Sequence, residues 1–523
     1  MTAETETTST TAPPPATADR PNRQVLAGYA ATVFISSALL LVLEIVAGRL
    51  VAPYVGVSLY TWTSIIGVIL AGLSLGNWLG GIWADNGATS RSVGWVLAAG
   101  GLYCLLSIAI LSPLGAAVQQ QGLTLLSASF AFAAVLFFMP AALIGVVTPL
   151  LTTLALRLDP RAGHVVGRMH ALAAIGSIAG TFAAGYWLVQ SFGTRAVVLA
   201  TGVALLALGA PFLRRSARPA QALLLVGVLA AVLLAVLRGG LVSSCDRESA
   251  YFCIRVVERP DLAPPDMARG LVLDHLLHGI NHMTEPDLLI APYVHGLDEL
   301  AYAHFQGAYD DGLAWFFAGG GAYSQPRAVQ ALSPASSITV AELDPMVTLT
   351  AAESLGLEPA SMTIEHRDAR LALADTDQAF DVVVGDVFHD VAIPYHLVTR
   401  EFATLVRERL APDGLYLMNV VDAFPDPRLI KAIAKTLRTE FRHVDIWMDQ
   451  VPKDPRVTFI LSASNGPRLA KTVPARRGFQ RAWSRMTEDI TAYGTPPEEI
   501  PLLTDDYAPV ERLIAGLLLG EDG

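Results

Sequence analysis

From residue 25 to residue 237 the chain is written in long apolar segments with few charges between them. Each is near the ~20 residues that an α-helix needs to cross a bilayer. The pattern predicts about seven spans, near 25–47, 60–82, 93–112, 125–155, 165–190, 195–213 and 220–237. The fourth is long and contains Pro140 and Pro149, so it is expected to kink or to overhang, which leaves the count open by one. Gly72, Gly76, Gly80 and Gly81, with Gly176, Gly180 and Gly185, supply small faces for close helix packing. Ahead of these spans, residues 1–24 are rich in Thr, Ala, Pro and Glu without apolar period and read as a disordered tail.

Past Asp246 the pattern shortens. Ser249 to Val257 alternates like a strand, and Leu271-Val272-Leu273-Asp274 looks like another, so a small β-rich subdomain is expected over 245–312. Leu313 to Ala318 is an apolar run that opens into Gly319-Gly320-Gly321. Ser337 to Ala341 ends at Glu342 and Asp344, and Phe380 to Gly385 ends at Asp386. Phe402 to Leu410 follows as a helix, Pro412-Asp413-Gly414 as a turn, Leu415 to Val420 as a strand, and 455–463 as a last strand. Short β-branched or aromatic runs spaced by helix-length segments predict a parallel sheet with crossover helices over 313–465. Residues 466–523 read as a polar C-terminal appendage. The fold class expected is a multi-span α-helical membrane domain (25–238) followed by a Rossmann-like α/β domain.

Composition sharpens this picture in three places. A mean hydropathy of +0.46 is too high for a soluble enzyme of 523 residues, and the excess lies in the first half. The net charge of −11 gives no reason to expect nucleic acid as a partner. No Lys precedes Lys431, so orientation rests on arginines. With an inside N-terminus, Arg20, Arg23, Arg91, Arg157, Arg161, Arg168, Arg214, Arg215 and Arg218 fall on the inner side. Arg49, Arg195 and Arg238 fall on the outer side. Seven spans then put the C-terminal half outside the cytoplasm. An eighth span, or one segment that fails to cross, reverses that. Cys245 and Cys253 follow the last span and form a disulfide if that side is oxidising. The alternative is two buried thiols flanking a strand. Glu44 and Arg49, at the end of the first span, are five apart and so not ideal helix partners; they read as an interfacial charge pair orienting the helix, the alternative being a transport role.

In a parallel sheet, ligands bind beyond the carboxyl ends of the strands, where the glycines, Glu342, Asp344 and Asp386 fall. A glycine run lets backbone approach a cofactor, and an acid ending the next strand can take both ribose hydroxyls. Glycine run, acid, Asp368-Ala369 and a further acid together point to a nucleoside site, and the expectation is an adenosyl sulfonium.

These residues resemble the spermidine synthase (polyamine aminopropyltransferase) family over roughly 245–465. The whole chain resembles its bacterial form fused to a major-facilitator-like membrane region. The turn from Gly81 to Gly87, with Arg91 after it, resembles a cytoplasmic loop of those transporters. The resemblance implies a class I methyltransferase-like domain that binds decarboxylated S-adenosylmethionine, or S-adenosylmethionine itself, as co-substrate. It implies that Glu342 holds the ribose, that Asp368-Ala369 meets the adenine, that Pro394 lies near the nucleoside, and that Asp386 is catalytic. The departures fall on the amine side. Ala322 stands where the family has an aspartate, and His389, followed by Asp390, stands where it has another. Leu273-Asp274-His275 keeps only part of a family element, with His278 at its glutamine. Tyr293 matches the tyrosine of a Tyr-His pair, with His295 one place late.

The chemistry implied is in-line attack by a neutral, putrescine-like amine on the carbon beside the sulfonium. Asp386 accepts the amine proton, unless it merely caps the segment after it. Asp505 and Asp506 are expected either to fold over the site or to be solvated. No metal is expected, since His275, His278 and His282 lack ligand spacing. The open alternatives are a lyase, cyclase or methyltransferase on the same scaffold, or a transporter or sensor that only binds a nucleoside. The oligomeric state is open, a homo-oligomer included.

Overall fold

The computed structural model describes residues 20–121, 123–213, 226, 227, 230, 233, 243–259, 261, 267–388, 392–450 and 454–519. Six of its helices are long and apolar enough to cross a membrane: α1 (Arg23–Val55), α2 (Leu59–Asp85), α3 (Ser90–Val118), α4 (Leu125–Leu156), α5 (Ala162–Phe192) and α6 (Thr194–Leu213). They coincide with the first six predicted segments. The seventh, 220–237, and the tail over 1–24 fall almost wholly outside the described residues. In α4 a π-helical turn, Ala134–Phe138, stands just before Pro140, where the proline removes a backbone donor.

Glycine sets how closely the helices pair. A Cβ on Gly76 would lie 2.0 Å from the Ala142 carbonyl oxygen, and those on Gly72 and Gly80 2.6 and 2.9 Å from carbonyls of the same helix, so α2 and α4 touch backbone to backbone. Gly176 and Gly180 do the same for α5 against α1, at 2.2 and 2.1 Å. Gly81 and Gly185 meet nothing within 4 Å, so these two do not belong to the packing faces.

Two sheets follow. Strands β1 (Arg247–Glu248), β2 (Cys253–Glu258), β3 (Ala268–Leu273) and β4 (Leu276–His282) make an antiparallel sheet in chain order, closed at its start by a Cys245–Cys253 disulfide. Helix α7 (Pro292–Phe305) leads to the second sheet. This contains β5 (Ala314–Ala318), β6 (Ser337–Ala341), β7 (Thr363–Glu365), β8 (Phe380–Gly385), β9 (Leu410–Ala423), β10 (His443–Met448), β11 (Arg456–Ser464), β12 (Thr472–Pro474) and β13 (Ala482–Arg485). Its order is β12-β13-β10-β11-β9-β8-β5-β6-β7; β5 to β9 are parallel, and β11 runs antiparallel between β9 and β10. From β7 to β10 this is the doubly wound, class I methyltransferase-like arrangement. The chain leaves β5 toward β6 and returns to place β8 on its other side, so the crevice opens between the ends of β5 and β8.

Sequence reasoning missed β10, and β12 and β13 correct the reading of 466–523 as a mere appendage. That segment extends the sheet, and it buries Leu503, Val510 and Ile514 in the same core as β9 and β11. The predicted turn at Pro412-Asp413-Gly414 is a shift in register within β9, where Phe380 pairs with Leu410 and Val382 with Leu415.

The two parts touch at one set of helix ends. Arg49, at the end of α1, donates to the Ser249 carbonyl at 2.8 Å and also to that of Tyr251. Its partners therefore lie in the β-rich subdomain, which corrects the expected pairing with Glu44. The Thr194 N–H, opening α6, donates to Glu248 Oε2 at 2.8 Å, and the Leu59 N–H, opening α2, donates to Glu511 at 3.2 Å.

Candidate active site

The glycine turn is shaped by what crosses it. The Gly319 N–H donates to the Ala341 carbonyl at 2.9 Å, and the Asp386 N–H donates to the Ala318 carbonyl at 3.1 Å, which ties the ends of β5, β6 and β8 together. Gly319 has φ +88°, and a Cβ there would lie 2.6 Å from the Asp386 carbonyl oxygen, so no other residue fits. The turn leads into α8 (Ser324–Leu332). From the other side Asn281 of β4 donates to the Ala322 carbonyl at 2.7 Å, and Ser324 Oγ donates to Asn281 Oδ1 at 2.5 Å. The β-rich subdomain is thereby fastened over the turn.

Glu342 ends β6 beneath this turn. The N–H groups of Gly320 and Gly321 donate to its Oε2 at 2.8 and 3.3 Å, and that of Asp344 donates to Oε1 at 2.9 Å. Burial raises its pKa, while these three donors hold it down. Asp344 takes another part than the cofactor contact expected of it. Its Oδ1 accepts from the Met346 N–H at 2.9 Å and caps α9 (Pro345–Ser354), and its Oδ2 accepts from Ser249 Oγ.

Asp368 likewise caps α10 (Ala369–Asp375), accepting from the Arg370 and Leu371 N–H groups at 3.0 and 3.1 Å, with Ala369 buried behind it. Its second oxygen faces His396 Nε2 at 2.8 Å. His396 lies in the helical turn Tyr395–Leu397, which starts directly after Pro394, so this bond brings the Pro394 segment beside the start of α10.

Asp386 stands at the end of β8. Asn419 Nδ2, from β9, donates to its Oδ1 at 2.9 Å, and the Tyr293 hydroxyl, from the first turn of α7, is also hydrogen-bonded to the carboxylate. Burial pushes its pKa up to about 6 against these two bonds, and the same surroundings raise that of Tyr293 well above the ordinary range for a phenol. Asp386, Tyr293, His278, Asn419, Arg456 and the three glycines share a cavity of about 130 Å³. Neither Asn419 nor Arg456 was singled out from sequence. Asn419 had a signal there, as an amide inside the otherwise apolar run Leu415–Val420.

The remaining expected residues are spread more widely. Asp274 is a buried turn residue at φ +53° that accepts from the Cys253 N–H at 2.9 Å. His295 is buried between Glu299, at 3.4 Å, and the ring of Trp483. Asp505 binds Arg370 through both oxygens at 2.7 Å and Thr399 Oγ1 at 2.7 Å, so it clasps the C-terminal segment onto α10 instead of facing the cavity. Asp506 is exposed, and His389 and Asp390 lie outside the described residues. Among the described residues no group of three or more His, Cys, Asp or Glu is placed to hold a metal ion.

The geometry defines a Rossmann-like site with a buried acid on each side of a glycine turn. No family model matches the chain. In sequence it is 29% identical over 213 residues to a probable polyamine aminopropyl transferase of Bifidobacterium longum, an alignment covering 37% of this chain and 47% of that protein. It is 25% identical over 213 residues to the polyamine aminopropyltransferase of Vibrio vulnificus, covering 37% and 67%. With polyamine aminopropyltransferase 1 of Streptomyces coelicolor the identity is 27% over 405 residues, covering 69% and 74%. That share of the chain exceeds residues 245–523, so the alignment takes in part of the apolar half. The chain spans about half the length of the first of these relatives. A solved probable spermidine synthase from Corynebacterium glutamicum aligns with a TM-score of 0.43 at 21% identity, over 50% of this chain and 97% of that one. The resemblance to polyamine aminopropyltransferases, whose names are those of transferases, is thus shown in sequence.

Proposed function

We propose that this chain is a membrane-anchored aminopropyltransferase-type enzyme that uses an adenosyl sulfonium donor and releases methylthioadenosine. The observation that carries the reading is Asp386, a carboxylate raised to about 6, held by Asn419 and Tyr293 at the strand end beside the glycine turn. An amine nucleophile must lose a proton as it attacks, and a base of that strength, fixed in a cavity, takes it without being protonated itself at neutral pH. The thioether leaves uncharged, so no acid is needed opposite. In this reading Glu342 holds the ribose hydroxyls, Asp368 and Ala369 meet the adenine, and orientation supplies much of the acceleration. The relatives' names support the transferase class, and the six apolar helices support the anchor, with the N-terminus in the cytoplasm by the arginine bias.

The test incubates the detergent-solubilised chain with S-adenosylmethionine or its decarboxylated form, with and without amines, and follows methylthioadenosine. Amine-dependent release is expected, with Asp386→Asn lowering turnover by about 10²–10⁴-fold while methylthioadenosine still binds. Binding with no release in any combination overturns the enzyme reading.

A further inference from the structure

The cavity beside Asp386 is lined by two buried amides that between them leave three polar atoms without a hydrogen-bond partner. Gln325, in the first turn of α8, is 5% exposed, and neither its Oε1 nor its Nε2 has a hydrogen-bond partner. Asn419 is 4% exposed and spends Nδ2 on Asp386, while its Oδ1 has no partner. Both line the cavity. Buried polar groups are ordinarily satisfied, so a pair of orphaned amides on one cavity wall marks the place of a ligand's polar groups.

The chemistry of the wall narrows what those groups are. A distal ammonium offers donors alone; it satisfies Gln325 Oε1 and leaves the Nε2 donor facing a cation. An α-amino acid head offers an ammonium and a carboxylate one carbon apart, matching the acceptor and donor of a single amide. Charge favours the same partner. Among the described residues of the wall, Asp386 is the one carboxylate and Arg456 the one guanidinium. A sulfonium already offsets Asp386; a further ammonium adds charge that no other described residue of this wall neutralises, whereas a zwitterionic head adds none.

We infer that this cavity takes an α-amino acid head in place of a distal alkylammonium, with Gln325 as its specificity-determining residue. The inference rests on the reading of Asp386 and Glu342 as the site of a sulfonium nucleoside. The head arrives on the donor, as S-adenosylmethionine, or on the acceptor, as an amino acid. With S-adenosylmethionine the displacement is unchanged in kind: the acceptor nitrogen bonds to the carbon on sulfur, the C–S bond breaks with its electron pair going to sulfur, and the amine proton passes to Asp386. The group moved is then 3-amino-3-carboxypropyl.

Two matched pairs test it in the full-length chain, each differing by one carboxylate: S-adenosylmethionine against its decarboxylated form in calorimetry, and ornithine against putrescine in turnover. In at least one pair the carboxylated member is expected to be preferred by tenfold or more, and that pair locates the head. Gln325→Met should remove the preference, and Gln325→Glu should turn it toward the decarboxylated member, with methylthioadenosine binding reporting that both variants are folded. Preference for the decarboxylated member in both pairs, or a preference that neither variant alters, overturns the inference. Loss of methylthioadenosine binding in the unaltered chain overturns the nucleoside reading itself; retained binding with either of the former results removes the inference alone.

Discussion

At Asp386 the same environment that suits a base works against the fold. Its carboxyl is raised from 3.8 to about 6, so the folded state binds this proton more tightly than the unfolded chain does. The penalty for ionising it is absent below pH 4 and complete above about pH 6, where it reaches ~2–3 kcal/mol at most. Asp386→Asn is therefore expected to raise the melting temperature in detergent at pH 8 and to leave it unchanged at pH 4; equal shifts at both values would contradict this. Turnover carries the complementary signature. Only the ionised carboxylate accepts a proton, so the rate should fall about tenfold per unit below pH 6. The Asn419 bond to Oδ1 favours the ionised form, and its loss in Asn419→Ala should move that acid limb upward by about one unit. A pH–rate profile of the two proteins decides it, and an unmoved or lowered limb would mean that the limb belongs to another group.

Among the helices, glycines that look alike in sequence fall into two kinds. Gly76 and Gly81 lie on one helix five residues apart, but a methyl group on Gly76 would sit 2.0 Å from a carbonyl oxygen of α4, and one on Gly81 would meet nothing within 4 Å. Forcing two backbones apart should make Gly76→Ala destabilising by about 1–3 kcal/mol or more, while Gly81→Ala stays within ~0.5 kcal/mol. Thermal denaturation of the two variants in one detergent, read by size-exclusion profile, separates them; similar midpoints would refute the packing. What sequence could foresee divides along the same physical line. The runs ending at Gly319, Glu342 and Asp386 were legible because strand period and strand-end chemistry are local. So were six apolar spans, since length alone marks them. The helix cap made by Asp344 and the Arg370 contact of Asp505 were not foreseen because an acid's sequence position does not reveal whether a helix N-terminus or an arginine will claim it. Gln325 and Asn419 carry their meaning only in what they fail to contact, which is a property of the assembled cavity.

For the molecule as a whole, the proposed anchoring raises the matter of which side of a membrane the C-terminal domain would face. It docks on the ends of α1, α2 and α6 that carry Arg49 and Arg195. At the opposite ends lie Arg23, Arg91, Arg157, Arg161 and Arg168, and there Arg157 joins α4 to α2 through the Ala88 and Ala84 carbonyls. Phe212, near the end of α6, stacks on Tyr29 near the start of α1, so the chain leaves α6 on the arginine-rich side, and at Ser243 it is again beside Glu248 on the other. If these helices span a membrane, we propose that the richer side faces the cytoplasm, as the arginine bias favours, and hence that the domain lies outside it. The Cys245–Cys253 disulfide fits that assignment independently, because such bonds persist in oxidising compartments. Closing a loop of this size, the two cysteines being 8 residues apart, is worth ~2–3 kcal/mol to the β-rich subdomain that holds Asn281 over the glycine turn. We therefore expect a membrane-impermeant thiol reagent to label Cys245 on intact spheroplasts only after reduction, with the buried Cys104 silent in both cases. Labelling that requires permeabilised membranes would put the domain in the cytoplasm, whereas labelling of intact spheroplasts without reductant would mean that the two thiols are external but unbonded. If the domain is outside, the donor reaches Asp386 only after crossing the membrane, and the apolar helices to which the domain is docked become the first place to look for its route.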